Sequence, residues 1–207
     1  MTPRPVVAPA RRAAIVAATI RSLARDGYAG LTMKRVAAEA GLSQGILHYY
    51  FRDKREILAA AARQVTDDLD RRVAAEARGA RGARARLRAL IRACLEVAAR
   101  DRGAWTVFIE FWGETLHDRE LAALNARAYA RTRRLIGRLL AAGVAEGAFR
   151  PVRADEGAAL VLAVLDGLSL QLTFDPALMP PARAERLCEA ALLACLGAQP
   201  PARRRTR

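Results

Sequence analysis

The stretch LTMKRVAAEAGLSQGILHYYFRDK, residues 31–54, determines the fold of the N-terminal part of the chain. Thr32 and Ser43 each precede a short segment with helical spacing of apolar residues, and their hydroxyls can cap the first turn of a helix. Gly41 permits the positive φ that closes the first of these helices, and Leu42 can fill the angle between the two. Two short helices joined in this way predict a helix-turn-helix, the arrangement that places a second helix in the major groove of DNA.

The remainder of the chain also predicts helices, so the expected fold class is all-α. The β-branched residues are scattered, and no alternating run ends in hairpin turn chemistry. A first helix is predicted from about residue 10 to about residue 25 with Gly27 as its stop, and Asp53 can cap a long helix that continues toward Arg78. Later helices are predicted at about 83–100, 103–116, 118–143, 155–174 and 181–196.

The net charge of +14 makes a polyanion the first partner to consider, but the charge is unevenly distributed. Residues 1–60 contain ten cations and four anions, whereas residues 101–199 contain eleven cations and twelve anions. The glycine-broken basic segment RGARGARAR at 78–86 interrupts the helical pattern. The sequence therefore predicts a basic three-helix domain at 1–60, a helical domain at 61–199, and a basic tail at 200–207 that is expected to be disordered.

Several classes of protein are disfavoured by the sequence. The three cysteines lack the spacing of a zinc site or a disulfide framework, which suits a reducing cytoplasm. The N-terminal segment has no apolar core of signal-peptide length, and the apolar run at 158–165 is too short to span a membrane. The three serines, the two distant histidines and the missing phosphate loop give no enzyme signature. We expect no catalysis, metal, cofactor or membrane partner.

The helix-turn-helix segment resembles the TetR family of transcriptional regulators over about residues 11–58. The shared pattern keeps one register across many positions, which makes it specific. It departs from the family at His48, where a tyrosine is common. The matching residues are Thr32, Val36-Ala37, Ala40-Gly41-Leu42-Ser43, Gly45, Leu47, Tyr50-Phe51 and Lys54.

This resemblance implies a set of DNA contacts. Hydroxyls at helix N-termini and an amino group at the start of the fourth helix would meet phosphates, because free amides and the helix dipole favour anions there. Glutamine can pair with adenine and lysine with guanine in the major groove. A flexible arm with Arg4, Arg11 and Arg12 could enter a minor groove, or these arginines are a solvated chain start. The candidate phosphate contacts are Thr32, Ser43, Tyr49, Tyr50 and Lys54; the candidate base contacts are Lys34, Gln44 and His48; Gly45 allows close approach and Met33 also points outward.

The segment GAWTVFIEFWGETL, residues 103–116, holds the densest aromatic cluster of the chain. At 100° per residue, one stripe contains Trp105, Phe108, Trp112 and Leu116, with Phe111 nearby. Two interpretations remain open: the stripe lines a ligand pocket, with a cage for a cation as one form of it, or it is core. In the second interpretation Glu110 and Glu114, on the opposite side, are solvated.

Residues 103–174 are more loosely similar to the C-terminal domain of the BetI-type subgroup of the TetR family. The resemblance implies a similar effector-binding architecture and leaves the small-molecule effector open. Asp166 interrupts an apolar helix, so its carboxylate either contacts a polar effector or pairs with an arginine or a backbone group. The candidate effector-binding residues are Trp105, Phe108, Phe111, Trp112, Tyr129 and Asp166.

The last two predicted helices are apolar on more than one face and therefore need cover on two sides. We expect them to form a four-helix bundle with a second copy of the chain, as the family resemblance also implies. Cys188 and Cys195 are then buried apolar groups. The expected function is a cytoplasmic, effector-responsive repressor that binds a palindromic operator as a homodimer. The alternatives are a non-specific or architectural nucleic-acid-binding protein and an interaction protein without an effector.

Overall fold

The fold was obtained as a computed structural model, which describes residues 7–197. The basic tail at 200–207 and Arg4 lie outside this range. The described residues form nine α-helices and no strand, so the all-α fold class is confirmed. The helices are α1 (Val7–Gly30), α2 (Met33–Glu39), α3 (Gln44–Tyr50), α4 (Lys54–Arg78), α5 (Ala83–Arg100), α6 (Arg102–Thr115), α7 (Arg119–Ala145), α8 (Ala154–Phe174) and α9 (Pro181–Cys195).

The caps predicted for the N-terminal helices are formed. The hydroxyl of Thr32 accepts a hydrogen bond from the backbone N–H of Arg35 at 3.2 Å, and that of Ser43 accepts one from the N–H of Ile46 at 3.3 Å. Gly41 adopts φ +66 in the turn between α2 and α3. These local interactions use the free amides of each first turn and fix where α2 and α3 begin.

Helix α1 does not stop at Gly27 as predicted. Gly27 has φ 65 and ψ −178, and the chain then returns to helical conformation up to Gly30. The glycine therefore marks a kink inside α1, because only glycine adopts this backbone conformation without strain.

The chain divides into two compact units. The first unit comprises the described residues up to Asp70 together with Arg100–Arg127, and the second comprises Arg71–Ala99 together with the described residues from Ala128 onward. The first unit thus includes α6, which the predicted division at 60/61 assigns to the C-terminal domain. Neither unit is one continuous stretch, so a division by sequence position alone does not describe the packing.

The first unit is held together by α1, which packs against α2 and α6, while α2 also packs against α3. Gly103 lies at a close approach of α6 to α1, since a Cβ there would be 3.2 Å from Cγ2 of Ile20. The large buried side chains of the first unit are apolar residues of helices α1 to α4 and α6 and of the turns beside them. They include Ile15, Leu23, Leu31, Val36, Leu47, Phe51, Ile57, Leu58, Val107 and Phe111.

The second unit has a separate apolar core, in which α8 packs against α9. Gly143 of α7 faces the ring of Phe149 so closely that a Cβ would overlap it. Phe149 is buried and fills the space beside this glycine. Other members of the core are Leu87, Leu90, Ile91, Leu95, Ile136, Leu140, Val161, Leu165, Leu172, Cys188 and Leu192.

Helix α8 is the one described helix whose length and composition would allow it to cross a membrane. A core helix of a folded domain has the same composition, and α8 buries Val161, Leu165 and Leu172 in the second unit. Its other side is exposed and still apolar, with Leu160 at 39% accessibility and Phe174 at 76%. Leu187 of α9 is exposed at 43%. The two helices therefore expose an apolar face.

Candidate DNA-binding surface and effector contacts

Helix α3 combines one buried residue with an outer face that is polar except for Ile46, which is 40% exposed. Leu47 is fully buried, which fixes how the helix is rotated against the first unit. Gln44, Gly45, His48 and Tyr49 are all exposed, and Tyr49 keeps 83% of its accessible surface. An exposed tyrosine ring contributes none of the stability that burial of its apolar area would give. Its position therefore suits a contact with another molecule.

The start of α2 adds a second row of accessible side chains. Thr32 and Lys34 are exposed, and Met33 is half-buried between them. The Thr32 hydroxyl is used as a cap within the chain, but a hydroxyl oxygen has a further lone pair and its own proton to donate. The N-terminus of α2 therefore presents an exposed hydroxyl and a cation side by side.

The three consecutive aromatic residues at the end of α3 have three different environments. Tyr49 is exposed, Tyr50 is half-buried and Phe51 is buried. The rings of Tyr49 and Tyr50 meet edge to face with their centroids 5.2 Å apart, a geometry in which two aromatic rings attract each other. The guanidinium of Arg12 lies 4.6 Å from the centroid of Phe51. Arg12 thus contacts the end of α3, although both Arg11 and Arg12 are exposed.

Ion pairs attach α2 to α1. Glu39 at the end of α2 accepts from Arg21 at 2.9 Å and from Arg25 at 3.0 Å. These hydrogen bonds, from Arg21 first, lower the pKa of Glu39 below its ordinary value. Because both arginines are more than half exposed, solvent screens the pairs and they orient α2 more than they stabilise it.

Lys54 opens α4 and lies against Tyr28 of α1. Its ammonium is 3.6 Å from the centroid of the tyrosine ring, well within cation–π distance. Burial first, and then the negative charge of Glu114, raises the pKa of Tyr28 to about 12. Tyr28 therefore stays protonated throughout the physiological range and supports the lysine as a neutral ring.

The residue after Lys54 is bound differently. Arg55 forms an ion pair with Asp118 at 3.0 Å and a second with Glu120 at 3.4 Å. Asp118 also caps α7 by accepting from the backbone N–H of Leu121 at 3.0 Å. That backbone hydrogen bond, and then the one from Arg55, lowers the pKa of Asp118, so the carboxylate remains ionised at neutral pH.

The expectation that Glu110 and Glu114 are solvated is wrong. Oε1 of Glu110 accepts a hydrogen bond from the backbone N–H of Tyr28 at 3.0 Å, and both glutamates are half-buried. The reason is that this side of α6 is covered by α1 instead of facing water. The kink that needs this acceptor is signalled in the sequence by Gly27, but no local pattern identifies its partner 82 residues away.

The aromatic stripe forms a ring cluster on α6. The centroids of Trp105 and Phe108 are 6.4 Å apart, those of Trp105 and Trp112 are 6.0 Å apart, and those of Phe108 and Trp112 are 6.1 Å apart. All three side chains are half-buried, whereas Phe111 is 5% exposed and belongs to the core of the first unit. The ring cluster consists of Trp105, Phe108 and Trp112.

Asp166 and Tyr129 form a pair in the second unit. The hydroxyl of Tyr129 donates to Oδ2 of Asp166 at 2.8 Å. Burial raises the pKa of Asp166, and burial and then the Asp166 charge raise that of Tyr129. The expected arginine or backbone partner of Asp166 is replaced by a tyrosine hydroxyl, because Tyr129 on α7 reaches across to α8. The pair and the ring cluster belong to different units.

The titratable side chains of residues 7–197 that lie outside these surfaces do not form a metal centre. Among the described residues, no group of three or more histidine, cysteine or acidic side chains could hold a metal ion. Cys188 is buried, which raises its pKa to about 12, and Cys195 is exposed. Cys188 and Cys195 are both expected from the sequence to be buried apolar groups. Within the single chain, Cys188 is buried and Cys195 is not.

Two family profiles match the chain. Residues 15–61 match "Bacterial regulatory proteins, tetR family". Residues 83–197 match "BetI-type transcriptional repressor, C-terminal". The first match contains α2 and α3, and the second contains α5 to α9.

Curated relatives are identical to this chain at about a third of the aligned positions. The HTH-type transcriptional regulator BetI of Burkholderia thailandensis is 36% identical over 162 residues, which are 78% of this chain and 80% of that protein. The protein of the same name from Paraburkholderia phymatum is 34% identical over 173 residues, which are 80% and 84% of the two chains.

Solved structures resemble the whole fold. A putative transcriptional regulator from Pseudomonas aeruginosa PAO1 has a TM-score of 0.79 at 28% identity, covering 98% of this chain and 96% of that one. A putative transcriptional regulator from Saccharomonospora viridis in complex with choline also has a TM-score of 0.79 at 28% identity, covering 90% and 96%.

Proposed function

The chain belongs to the TetR family of DNA-binding transcriptional regulators and carries a BetI-type C-terminal domain. From this premise we propose that the protein is a repressor that binds a palindromic operator as a homodimer. We propose further that it releases the operator when a small molecule binds. A regulator of this kind needs a DNA-reading surface, a surface that pairs two chains and a surface that senses the effector. It would act in the cytoplasm, where bacterial DNA lies.

DNA reading is assigned to α2, α3 and the start of α4. The observation that carries this assignment is the exposed row on α3, with Tyr49 at 83% accessibility above the buried Leu47. Gln44 and His48 supply groups for base edges, and Lys34 adds a cation beside them. The remaining proposed contacts position the protein on phosphates. These are Thr32, Ser43, Gly45, Tyr49, Tyr50 and Lys54, with Met33 at the edge of the surface.

Selection of bound duplexes from a random pool, at near-physiological salt, tests this assignment. Tyr49→Ala and Lys54→Ala should each weaken binding to the selected duplex about tenfold, since each removes a hydrogen bond to a charged phosphate. Tyr49→Ala should leave the melting temperature unchanged because Tyr49 is mostly exposed. Unchanged affinity in both variants would exclude the assignment. Equal binding of selected and scrambled duplexes would instead favour the non-specific nucleic-acid-binding function that the net charge of +14 permits.

Dimerisation is assigned to the exposed apolar face of α8 and α9. Leu160, Phe174, Leu178 and Leu187 are large side chains left exposed on these two helices and the turn between them. Two such faces related by a two-fold axis would cover each other. A two-fold dimer presents two copies of α3 and therefore reads two half-sites of a palindrome.

The effector is proposed to be a small organic cation. Three aromatic rings of the ring cluster lie within 6.4 Å of one another, and aromatic faces attract quaternary ammonium groups. The Saccharomonospora viridis structure was solved with choline. The Asp166–Tyr129 pair of the second unit is a separate candidate site, since its carboxylate and hydroxyl suit a positively charged, hydroxylated molecule. Phe111 supports the ring cluster from the core.

Tryptophan fluorescence tests the effector assignment, since both tryptophans of the chain lie in the ring cluster. Choline should change the emission in a saturable way, and Trp105→Leu should weaken its binding about tenfold or more. Asp166→Asn should weaken choline binding without weakening DNA binding. A neutral isostere of choline, in which carbon replaces the ammonium nitrogen, serves as the control. Equal binding of choline and this isostere would contradict a cation site.

A further inference from the structure

Helix α6 has a second side, away from the ring cluster, that contacts the kink in α1. Oε1 of Glu110 accepts a hydrogen bond from the backbone N–H of Tyr28 at 3.0 Å. This N–H directly follows Gly27, where φ is +65 and an added Cβ would lie 3.1 Å from the same oxygen. Glu110 therefore satisfies the amide that the kink would leave without a helical partner.

Tyr28 is thereby fixed at the place where it meets Lys54. The ammonium lies 3.6 Å from the ring centroid, so the ring face determines where the cation sits at the start of α4. A cation–π contact uses no N–H of the ammonium in a hydrogen bond. Lys54 can consequently donate to a phosphate while it remains over the ring.

The neighbouring cation shows that this contact is selective. Arg55 is held by carboxylates, with Asp118 at 3.0 Å and Glu120 at 3.4 Å. A cation already paired with two carboxylates gains less from a phosphate than one that rests on a neutral ring. Of these two consecutive residues, Lys54 is therefore the one equipped to meet DNA.

We propose that Tyr28, fixed by Glu110, positions the Lys54 ammonium for a DNA phosphate, so that both are positioning residues for operator binding. The inference rests on the proposed DNA-binding function. It also gives α6 two roles, because the helix that carries the ring cluster also holds Tyr28.

A double-mutant cycle tests the proposal with the selected duplex as ligand. Tyr28→Leu keeps bulk and removes the ring, and we expect it to weaken duplex binding about threefold to tenfold. In the Lys54→Ala background the same change should have little further effect, since no cation remains to be positioned. A structural role of Tyr28 would weaken binding equally in both backgrounds. Tyr28→Phe retains the ring and should retain more of the affinity than Tyr28→Leu.

A second pair of variants applies the same cycle to Glu110 and does not depend on the folding of Tyr28→Leu. Glu110→Ala removes the acceptor for the Tyr28 amide, whereas Glu110→Gln keeps an oxygen at that place. Where Lys54 is present, we expect Glu110→Ala to weaken duplex binding about threefold, and in the Lys54→Ala variant we expect no further weakening. Glu110→Gln should retain most of the affinity that Glu110→Ala loses. For Glu110→Ala, the slope of log affinity against log salt concentration should become less steep and approach that of Lys54→Ala. The Lys54→Ala slope itself should be about 0.9 less steep than that of the unmodified protein, because one phosphate contact is lost.

The outcomes separate this inference from the function on which it rests. Equal effects of Tyr28→Leu and Glu110→Ala with and without Lys54, or failure of Glu110→Gln to restore affinity, would overturn the positioning role. If the unmodified protein did not distinguish selected from scrambled duplexes, the DNA-reading function itself would fail. Loss of specific binding confined to the variants, together with dependence on Lys54, would support the proposal.

Discussion

Two helix pairs, α2 with α3 in the first unit and α8 with α9 in the second, expose different kinds of side chain. In the first unit the accessible residues of α2 and α3 are mostly polar or hydroxyl-bearing, and α3 buries only Leu47. In the second unit α8 and α9 leave three large apolar side chains exposed, Leu160, Phe174 and Leu187. Polar groups with hydrogen-bond donors suit phosphates and bases, whereas exposed apolar faces suit another protein surface. The chemistry of what each helix pair leaves uncovered thus indicates its partner.

The largest expected effect comes from placing a charge on the apolar face of the second unit. Leu187→Glu brings like charges together across a two-fold interface, which costs several kcal/mol. We expect a monomer by light scattering and about a hundredfold loss of duplex affinity. Ala141→Glu, at an exposed position of α7, is the control and should remain a dimer. A Leu187→Glu dimer with full affinity would break the comparison, because the apolar face would then have no partner.

The next effect distinguishes packed from open glycines in the two units. Gly143→Ala in the second unit would push a methyl group into the Phe149 ring and should destabilise the protein by about 1–3 kcal/mol. Gly113→Ala in the first unit meets nothing within 4 Å and should stabilise α6 by about 1 kcal/mol. Urea denaturation measures both. Similar changes in the two variants would contradict the packing described around Phe149.

A smaller effect concerns the core of the first unit. Ser22 is fully buried and its Oγ has no hydrogen-bond partner among the described residues. Ser22→Ala removes this unsatisfied group and should raise the free energy of unfolding by about 1 kcal/mol. Thr19→Val is the matched change, and it should not stabilise because the Thr19 hydroxyl already donates to the carbonyl of Ile15 at 2.9 Å. Stabilisation by both changes would argue against the distinction.

The smallest effect is a pH dependence in the second unit. The N–H of Ala83 and then the guanidinium of Arg86 lower the pKa of Glu146 below its ordinary value of 4.5. A lowered pKa stabilises the folded state above the unfolded pKa, and this stabilisation disappears as the pH falls through the folded value. The melting temperature of the unmodified protein should exceed that of Glu146→Gln at neutral pH, and the difference should shrink below about pH 4.5. A constant difference would contradict the pKa shift.

The elements of the first unit could largely be predicted from the sequence because their signals are local. Thr32, Gly41, Ser43 and Asp53 each act within a few residues, and the structure forms the corresponding caps and turn. The burial of Leu47 and the exposure of Gln44, His48 and Tyr49 on α3 also follow from one helical register, whereas Tyr50, expected to point outward, is half-buried.

What the sequence could not predict depends on contacts between distant segments. The assignment of α6 to the first unit requires α1 to cover one of its sides. The partners of Glu110 and Asp166 are a backbone amide 82 residues away and a tyrosine hydroxyl 37 residues away. Periodicity shows that such carboxylates share a helix with apolar residues, but it gives no information about which distant group meets them.

The central claim is that two copies of α3 read a palindrome in a sequence-specific way. The most direct measurement is a titration, at near-physiological salt, of a selected palindromic duplex, the same duplex with one half-site scrambled, and a fully scrambled duplex. The account predicts that the palindrome binds at least about a thousandfold more tightly than the fully scrambled duplex, with the half-site duplex in between. Equal, steeply salt-dependent affinity for all three would contradict it and would assign binding to charge alone.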